Sequence, residues 1–275
     1  MLHLGAHMTT GKGFDRAAKD ARSIQADAMQ VFTRNPRGGK ARALTEKELQ
    51  KLAEYRDSGL CVVCHAPYTI NLASSSDDVR EFGQRTIAED LQRMQLLGAS
   101  GLVVHSGAHT GAGKAVGLER LIASLDLLLP QVADGTRILL ETMSGSGSEL
   151  GSNLEELQQV LKAFDYSPAL GVCLDTCHLF AAGYDVCDWP TFKARFEAYL
   201  PWEAVGCIHM NDSKTPFASH KDRHEKLGKG SIGWPAFKQI VQLEADSDLP
   251  IIMETPNELS GWAAEIAELR ECLNN

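Results

Sequence analysis

The sequence predicts a (β/α)8 barrel of the TIM type, formed as a single domain over residues 1–275. Two observations carry that prediction. Eight short apolar runs recur along the chain, separated by stretches with helical periodicity. Nearly every run also ends in a histidine or a carboxylate, which is where barrels of parallel strands place their active sites.

The strand candidates are 2–7 (LHLGAH), 28–33 (AMQVFT), 61–66 (CVVCHA) and 101–106 (GLVVHS). They continue with 137–142 (RILLET), 170–176 (LGVCLDT), 205–211 (VGCIHMN) and 250–255 (PIIMET). Near-continuous hydrophobicity marks strands buried on both faces, as in a parallel sheet. Between them, 77–97 places Phe82, Ile87, Leu91, Met94 and Leu97 at helical spacing behind Ser76 or Asp77 as a cap. Ser152 and Glu155 form a capping-box pattern opening a helix near 153–163. A doubly wound open sheet is the alternative arrangement of the same units. No internal repeat, low-complexity tract or interdomain linker stands out.

A chain of 275 residues, 44% hydrophobic, buries a sizeable core without staples. No stretch approaches the roughly 18 apolar residues of a membrane helix. The start, MLHLGAHMTT, lacks the basic-then-apolar pattern of a signal peptide. The seven cysteines are odd in number and irregularly spaced, and Cys61, Cys64, Cys173 and Cys207 lie inside apolar runs. Buried free thiols in a reducing cytosol fit this usage better than a disulfide framework, and a cytoplasmic protein is expected; a monomer without membrane contact is expected as well. The net charge of −9 argues at first sight against a polyanionic partner. Three bound divalent cations would offset two thirds of it, so the face that carries them decides.

His7, His65, His105, Glu141, Asp175, His209 and Glu254 close seven of the eight runs. A lone histidine at a strand end is ordinary, but seven such residues converging at one barrel mouth are what zinc, manganese or iron sites use. Isolated buried carboxylates, moreover, are costly without cations or donors. In Asp222-Arg223-His224 the two ligand types are two residues apart, so in an extended segment both point the same way and can chelate one ion. Asp175 and His178 are three apart: either the strand ends between them or they serve different metals. Cys173 with Cys177 invites a zinc-thiolate reading, set against it that Cys173 sits in an apolar strand with no second cysteine pair at ligand spacing. Cys61 and Cys64 read as core rather than as a redox motif.

The blocks CHAPYTINLAS, VVHSGAH, LLETMSGSGSELG, GVCLDTCHLFAAGYD, IHMNDSK, KDRHEKLGKGSIG and IIMETP resemble, in order, the signature blocks of the endonuclease IV family. The resemblance runs from GAH near the start to METP near the end. It implies a (β/α)8 barrel that hydrolyses double-stranded DNA 5′ of abasic sites and removes blocked 3′ ends, with three zinc ions or other divalent metals. Carried over residue by residue, it implies that His65, His105 and Glu141 hold one zinc. Glu141, Asp175, His209 and Glu254 would hold a second, with Glu141 bridging, and His178, Asp222 and His224 the third. Glu141 and Glu254 are then the catalytic carboxylates, Glu254 orienting water through a free oxygen, and His7 supports a ligand from behind.

The block FTRNPRGGK matches the family loop that enters DNA at the lesion and puts Arg37 in the inserting position, although Pro36 and the two following glycines depart from some relatives. Tyr68 matches a family tyrosine that contacts DNA beside the lesion. Arg34, Lys214, Lys221, Arg223 and Lys229 are further candidates for backbone phosphates. The competing expectations are a metal-dependent sugar isomerase or epimerase on a related barrel, and a catalytically silent metal- or DNA-binding scaffold. No serine or cysteine nucleophile motif is evident.

Overall fold

The computed structural model describes residues 2–37 and 40–273. Eight parallel strands close on themselves. In chain order they are β1 (His3–His7), β2 (Ala28–Phe32), β3 (Cys61–His65), β4 (Gly101–His105), β5 (Arg137–Glu141), β6 (Leu170–Asp175), β7 (Val205–His209) and, after a short hairpin, β10 (Pro250–Met253). The hairpin is β8 (Asp212–Ser213) paired with β9 (His224–Glu225). Strand neighbours follow chain order, and the barrel is sealed by β1 pairing with β10. The closed barrel expected from the sequence is therefore observed, and the open doubly wound sheet is not.

The strands form because each is a run of residues buried on both faces, which is stable only inside a closed sheet. Outside the wall pack α1 (Phe14–Ser23), α2 (Glu46–Asp57), α3 (Asp77–Leu97), α4 (Lys114–Leu128) and α5 (Leu154–Lys162). They continue with α6 (Thr176–Ala182), α7 (Trp189–Glu197), α8 (Trp234–Leu243) and α9 (Leu259–Glu271). No helix among the described residues is long and apolar enough to cross a membrane.

Two helix details differ from the sequence pattern. The inward face of α3 is Gly83, Ile87, Asp90, Leu91, Met94 and Leu97, which leaves Phe82 exposed, one residue off the stripe. Helix α3 does follow Ser76, but the Ser76 side chain makes no capping bond. The capping box of α5 is Asn153 with Glu156, one residue beyond the expected Ser152 and Glu155. Asn153 is extended and accepts from the Glu156 amide, while Glu156 turns inward to accept from Gly151 N at 2.7 Å.

Inside the barrel a small second core fills the lumen: Ala28, Val63, Val103, Leu139, Cys173, Cys207 and Ile252. Leu139 dominates it. A Cβ placed on Gly206 would lie 2.5 Å from Leu139 Cδ2, and one on Gly171 3.0 Å from the same atom, so those strands must present bare backbone to admit one large side chain. The lumen is thus a packed floor, and the polar residues sit above it at the strand ends.

The cysteines are free thiols, and all but the half-buried Cys61 and exposed Cys187 are buried. Cys173 neighbours Cys207 across the β6–β7 register and not Cys177, so the Cys173–Cys177 thiolate pair does not form.

Candidate metal centre

Strand ends bring the polar residues together because parallel strands of four to six residues, paired in register, finish near one level. His7, His65, His105, Glu141, Asp175 and His209 are the last residues of β1, β3, β4, β5, β6 and β7, and Glu254 follows β10 directly. Asp175 ends β6 and also caps α6, its Oδ1 accepting from His178 N at 2.8 Å. The strand therefore does stop between Asp175 and His178, and the first helical turn swings His178 back over the mouth.

Glu141, almost fully buried, is the hub. Its Oε2 lies 3.1 Å from His65 Nε2 and 3.3 Å from His105 Nε2, and its Oε1 lies 3.0 Å from His209 Nδ1. His209 Nδ1 also faces Glu254 Oε2 at 3.4 Å and Asp175 Oδ2 at 3.9 Å. A third group gathers around Asp222, whose Oδ1 lies 3.3 Å from His178 Nε2 and 3.2 Å from His224 Nε2. All nine sequence-predicted ligands thus stand in one continuous cluster. His65–His105–Glu141 and His178–Asp222–His224 each bring their donor atoms within 4.8 Å of one another. Cys177 meets the same criterion with Asp175 and His224, but burial pushes its thiol up to about 12, which keeps it protonated and a poor ligand.

The tautomers test whether cations fit. His65 Nδ1 is 2.6 Å from Ala66 O and His178 Nδ1 is 2.8 Å from Thr142 O. A carbonyl only accepts, so both rings carry a proton on Nδ1, which leaves Nε2, the atom facing a carboxylate, as the one that can offer a lone pair to a metal. His178 Nε2 and His224 Nε2 are buried and lack a hydrogen bond of good geometry. An Nε2 atom facing a carboxylate calls for a cation between them, a proton in the metal-free protein or a metal ion in its place, so the donor set fits divalent metal ions.

Electrostatics point the same way. Burial works against the charge on Glu141, yet the facing His209 and His105 hold its carboxyl well below the ordinary range. Burial likewise opposes charge on His209, but Glu254 and Glu141 lift it well above the usual imidazole value. His178 is raised against burial by Asp175 and Asp222, and His224 is raised to about 9 by the same two carboxylates. Asp222 and Glu254 are pulled down against burial, chiefly by His178 and by His209 respectively. His7 goes the other way: burial outweighs Glu254 and keeps it neutral, as suits a ring that supports Glu254 through Nδ1 at 2.8 Å.

Three supporting residues escaped the sequence analysis. Asn211, buried, donates to Asp175 Oδ2 at 2.7 Å and accepts from Glu254 N at 2.8 Å. Gln30, buried in β2, touches His7, Glu254 and His209. Asp212 accepts from Ser213, Gly230, Ile232 and Gly233 amides and so fixes the base of the hairpin that carries His224. A polar residue inside or just after an otherwise apolar strand is the signal that marks all three.

Tyr68 is 47% exposed, its ring edge-on to Phe32 at 6.2 Å, and Phe32 packs on His65 at 5.3 Å, so an aromatic file leads from the surface to the cluster. Arg37 is exposed on the loop after β2, with its amide on Asn35 Oδ1. The Gly38–Gly39 pair lies outside the described residues. Lys214, Lys221, Arg223 and Lys229 are exposed on the β8–β9 hairpin and the loop after it. Arg34 is not available for phosphates: its side chain is 5% exposed and bonds Asp90 at 2.8 Å and Glu89 at 3.0 Å. Buried Asp90 needs cations: Arg34 bonds it directly, and Arg93 adds to the same field.

A closed parallel barrel with histidines and carboxylates ringing its mouth defines the xylose isomerase-like TIM barrels, and the family model of that description matches residues 18–274. Within that class the relatives are specific. A protein of Alkaliphilus oremlandii described as a probable endonuclease 4 is 42% identical over 98% of this chain and 97% of its own length. The crystal structure of endonuclease IV from Thermus thermophilus superposes with a TM-score of 0.87 at 29% identity, over 99% of each chain. The chain belongs to the endonuclease IV family. A D-tagatose 3-epimerase-like protein has a TM-score of 0.74 at 21% identity over 98% of each chain, a likeness of fold alone.

Proposed function

We propose that this AP endonuclease cuts the phosphodiester on the 5′ side of an abasic nucleotide in duplex DNA, and trims blocked 3′ ends, with three divalent ions, zinc foremost. The observation that carries the reading is the hub geometry of Glu141, one carboxylate with imidazoles against both oxygens. His65, His105 and Glu141 would hold one ion; Glu141, Asp175, His209 and Glu254 a second; His178, Asp222 and His224 a third. Such ions, when bound, acidify a water toward neutrality and neutralise charge on a scissile phosphate.

The chain's own residues do the rest. Ala66 and Thr142 carbonyls fix His65 and His178 with their lone pairs forward. Glu254, tied through Oε1 to His7, keeps Oε2 turned toward the cluster and orients water there. Arg37 and Tyr68 enter the duplex at the lesion, and Lys214, Lys221, Arg223 and Lys229 contact backbone phosphates. An abasic sugar leaves the stack at lower cost than an intact nucleotide, which supplies selectivity.

Elemental analysis of the purified protein beside nicking of an oligonucleotide with one abasic site tests the reading. Close to three tightly held ions and a single cut 5′ of the lesion are expected. At most one ion per chain, or turnover of ketoses and aldoses in place of DNA, overturns it.

A further inference from the structure

We propose that Gln30 is a positioning residue of the metal centre, its side-chain amide clamping His209 and Glu254 so that both turn a lone pair toward one shared cation. Of the eight barrel strands, β2 is the one whose end contributes no histidine or carboxylate. It contributes Gln30 instead, fully buried and level with His7 on the neighbouring strand.

The amide orientation follows from its partners. One end lies 2.7 Å from Glu254 Oε1. A carboxylate only accepts, so that end is the NH2 group. The other end is therefore the carbonyl, 2.8 Å from His209 Nε2. A carbonyl also only accepts, so His209 keeps a proton on Nε2, and Nδ1 is the atom left to offer a lone pair to a cation. That atom faces Glu141 Oε1, Glu254 Oε2 and Asp175 Oδ2. Glu254 Oε1 is held by Gln30 and His7 together, which leaves Oε2 for the cluster. His65 and His178 have their tautomers set by backbone carbonyls; His209 has no such carbonyl, and a side chain from the ligand-free strand does that work. Leucine at this place would fill the volume with no bond. Glutamate would keep an acceptor for His209 but set a carboxylate against Glu254.

The inference rests on His209 and Glu254 sharing an ion, and the metal content of the parent protein tests that separately. The experiment compares zinc-loaded parent, Gln30→Leu and Gln30→Glu, each labelled with 15N-histidine. The parent should show a slowly exchanging His209 Nε2 proton. Gln30→Leu should lose that protection, and Gln30→Glu should keep it. Both variants should release one ion to a chelator and lose kcat on abasic duplex by about ten- to a hundredfold, the usual span for residues that orient ligands. KM for the duplex should stay at the parental value, because Gln30 is buried beneath the mouth. A protected Nε2 proton in Gln30→Leu overturns the proposal, as does a raised KM at unchanged kcat. If Gln30→Leu does not fold, Gln30→Glu decides alone: faster ion loss with the proton retained supports the clamp, and parental ion retention overturns it. A parent that holds three ions and cuts DNA beside unaffected variants would remove Gln30 from the argument and leave the function standing.

Discussion

Exchanging Glu141 for Gln preserves the shape of the side chain and removes one negative charge from the middle of the cluster. The two oxygens lie 3.0 Å from His209 Nδ1 and 3.1 Å from His65 Nε2, so any ion shared with those rings is equally close to the carboxylate. At an effective dielectric of about 20, opposite unit charges about 3 Å apart attract by roughly 5 kcal/mol. Desolvating the carboxylate, only 1% exposed, offsets about 2 kcal/mol of that. A net loss of about 3 kcal/mol remains, which corresponds to about a hundredfold in rate. Single-turnover cleavage of a duplex with one abasic site, measured beside ion content and melting temperature, reads the effect. The fold should persist, because Glu141 stands at the strand end above the packed lumen. Near-parental turnover with a full complement of ions would refute the hub assignment.

Chelator-stripped protein should become less stable as pH rises. His224 has a folded value of about 9 against an ordinary 6.5, so its contribution is complete below pH 6.5 and disappears through pH 9. That contribution amounts to at most about 3 kcal/mol. His178 and His209 shift the same way, and zinc added at pH 7 should displace protons, fewer as pH approaches 9. A flat melting profile of the stripped protein from pH 6.5 to 9 would contradict this. Asp212→Asn should cost about 3 kcal/mol in denaturant titration, because an amide turns a donor toward backbone N–H groups that need an acceptor. It should also loosen the ion at Asp222 and His224 before the others; simultaneous loss of all three would argue against hairpin anchoring. Arg37→Ala with Tyr68→Ala should weaken binding to abasic duplex by about 1–3 kcal/mol per residue. Ion content and cleavage of a small activated phosphodiester should not change, and a drop in ion content would move Tyr68 to the support of His65.

The barrel was legible because the strands are continuous apolar runs and all but β2 carry a histidine or carboxylate at or just past the end, a pattern that suits parallel strands converging on one mouth. The candidate ligands could be picked out for the same reason, with the Asp222–His224 spacing adding a pair. What escaped was set by contacts between residues distant in sequence. Gln30 reads as one polar residue spoiling an apolar strand until β1, β7 and β10 stand around it. Asp212 reads as one more acid until the amides from Gly230 to Gly233 return to it. Arg34 reads as a mouth cation because sequence shows its neighbour Arg37, not Asp90 on the facing helix. The α5 cap slid by one residue because Glu156, not Glu155, points toward the protein interior, a choice that tertiary packing makes.

The seam between the first and last barrel strands has a kinetic consequence. His7 and Glu254 touch at 2.8 Å although 247 residues separate them, and Gln30 reaches across the same seam to Glu254. Contacts of such separation form late in folding, after local helices and hairpins, because the loop they close is long. During synthesis Glu254 emerges only after the other seven strands have been made. Until it docks, the second of the proposed ions would lack one of its carboxylates. Ring closure would therefore complete the proposed metal centre last, after the other strand ends are in place.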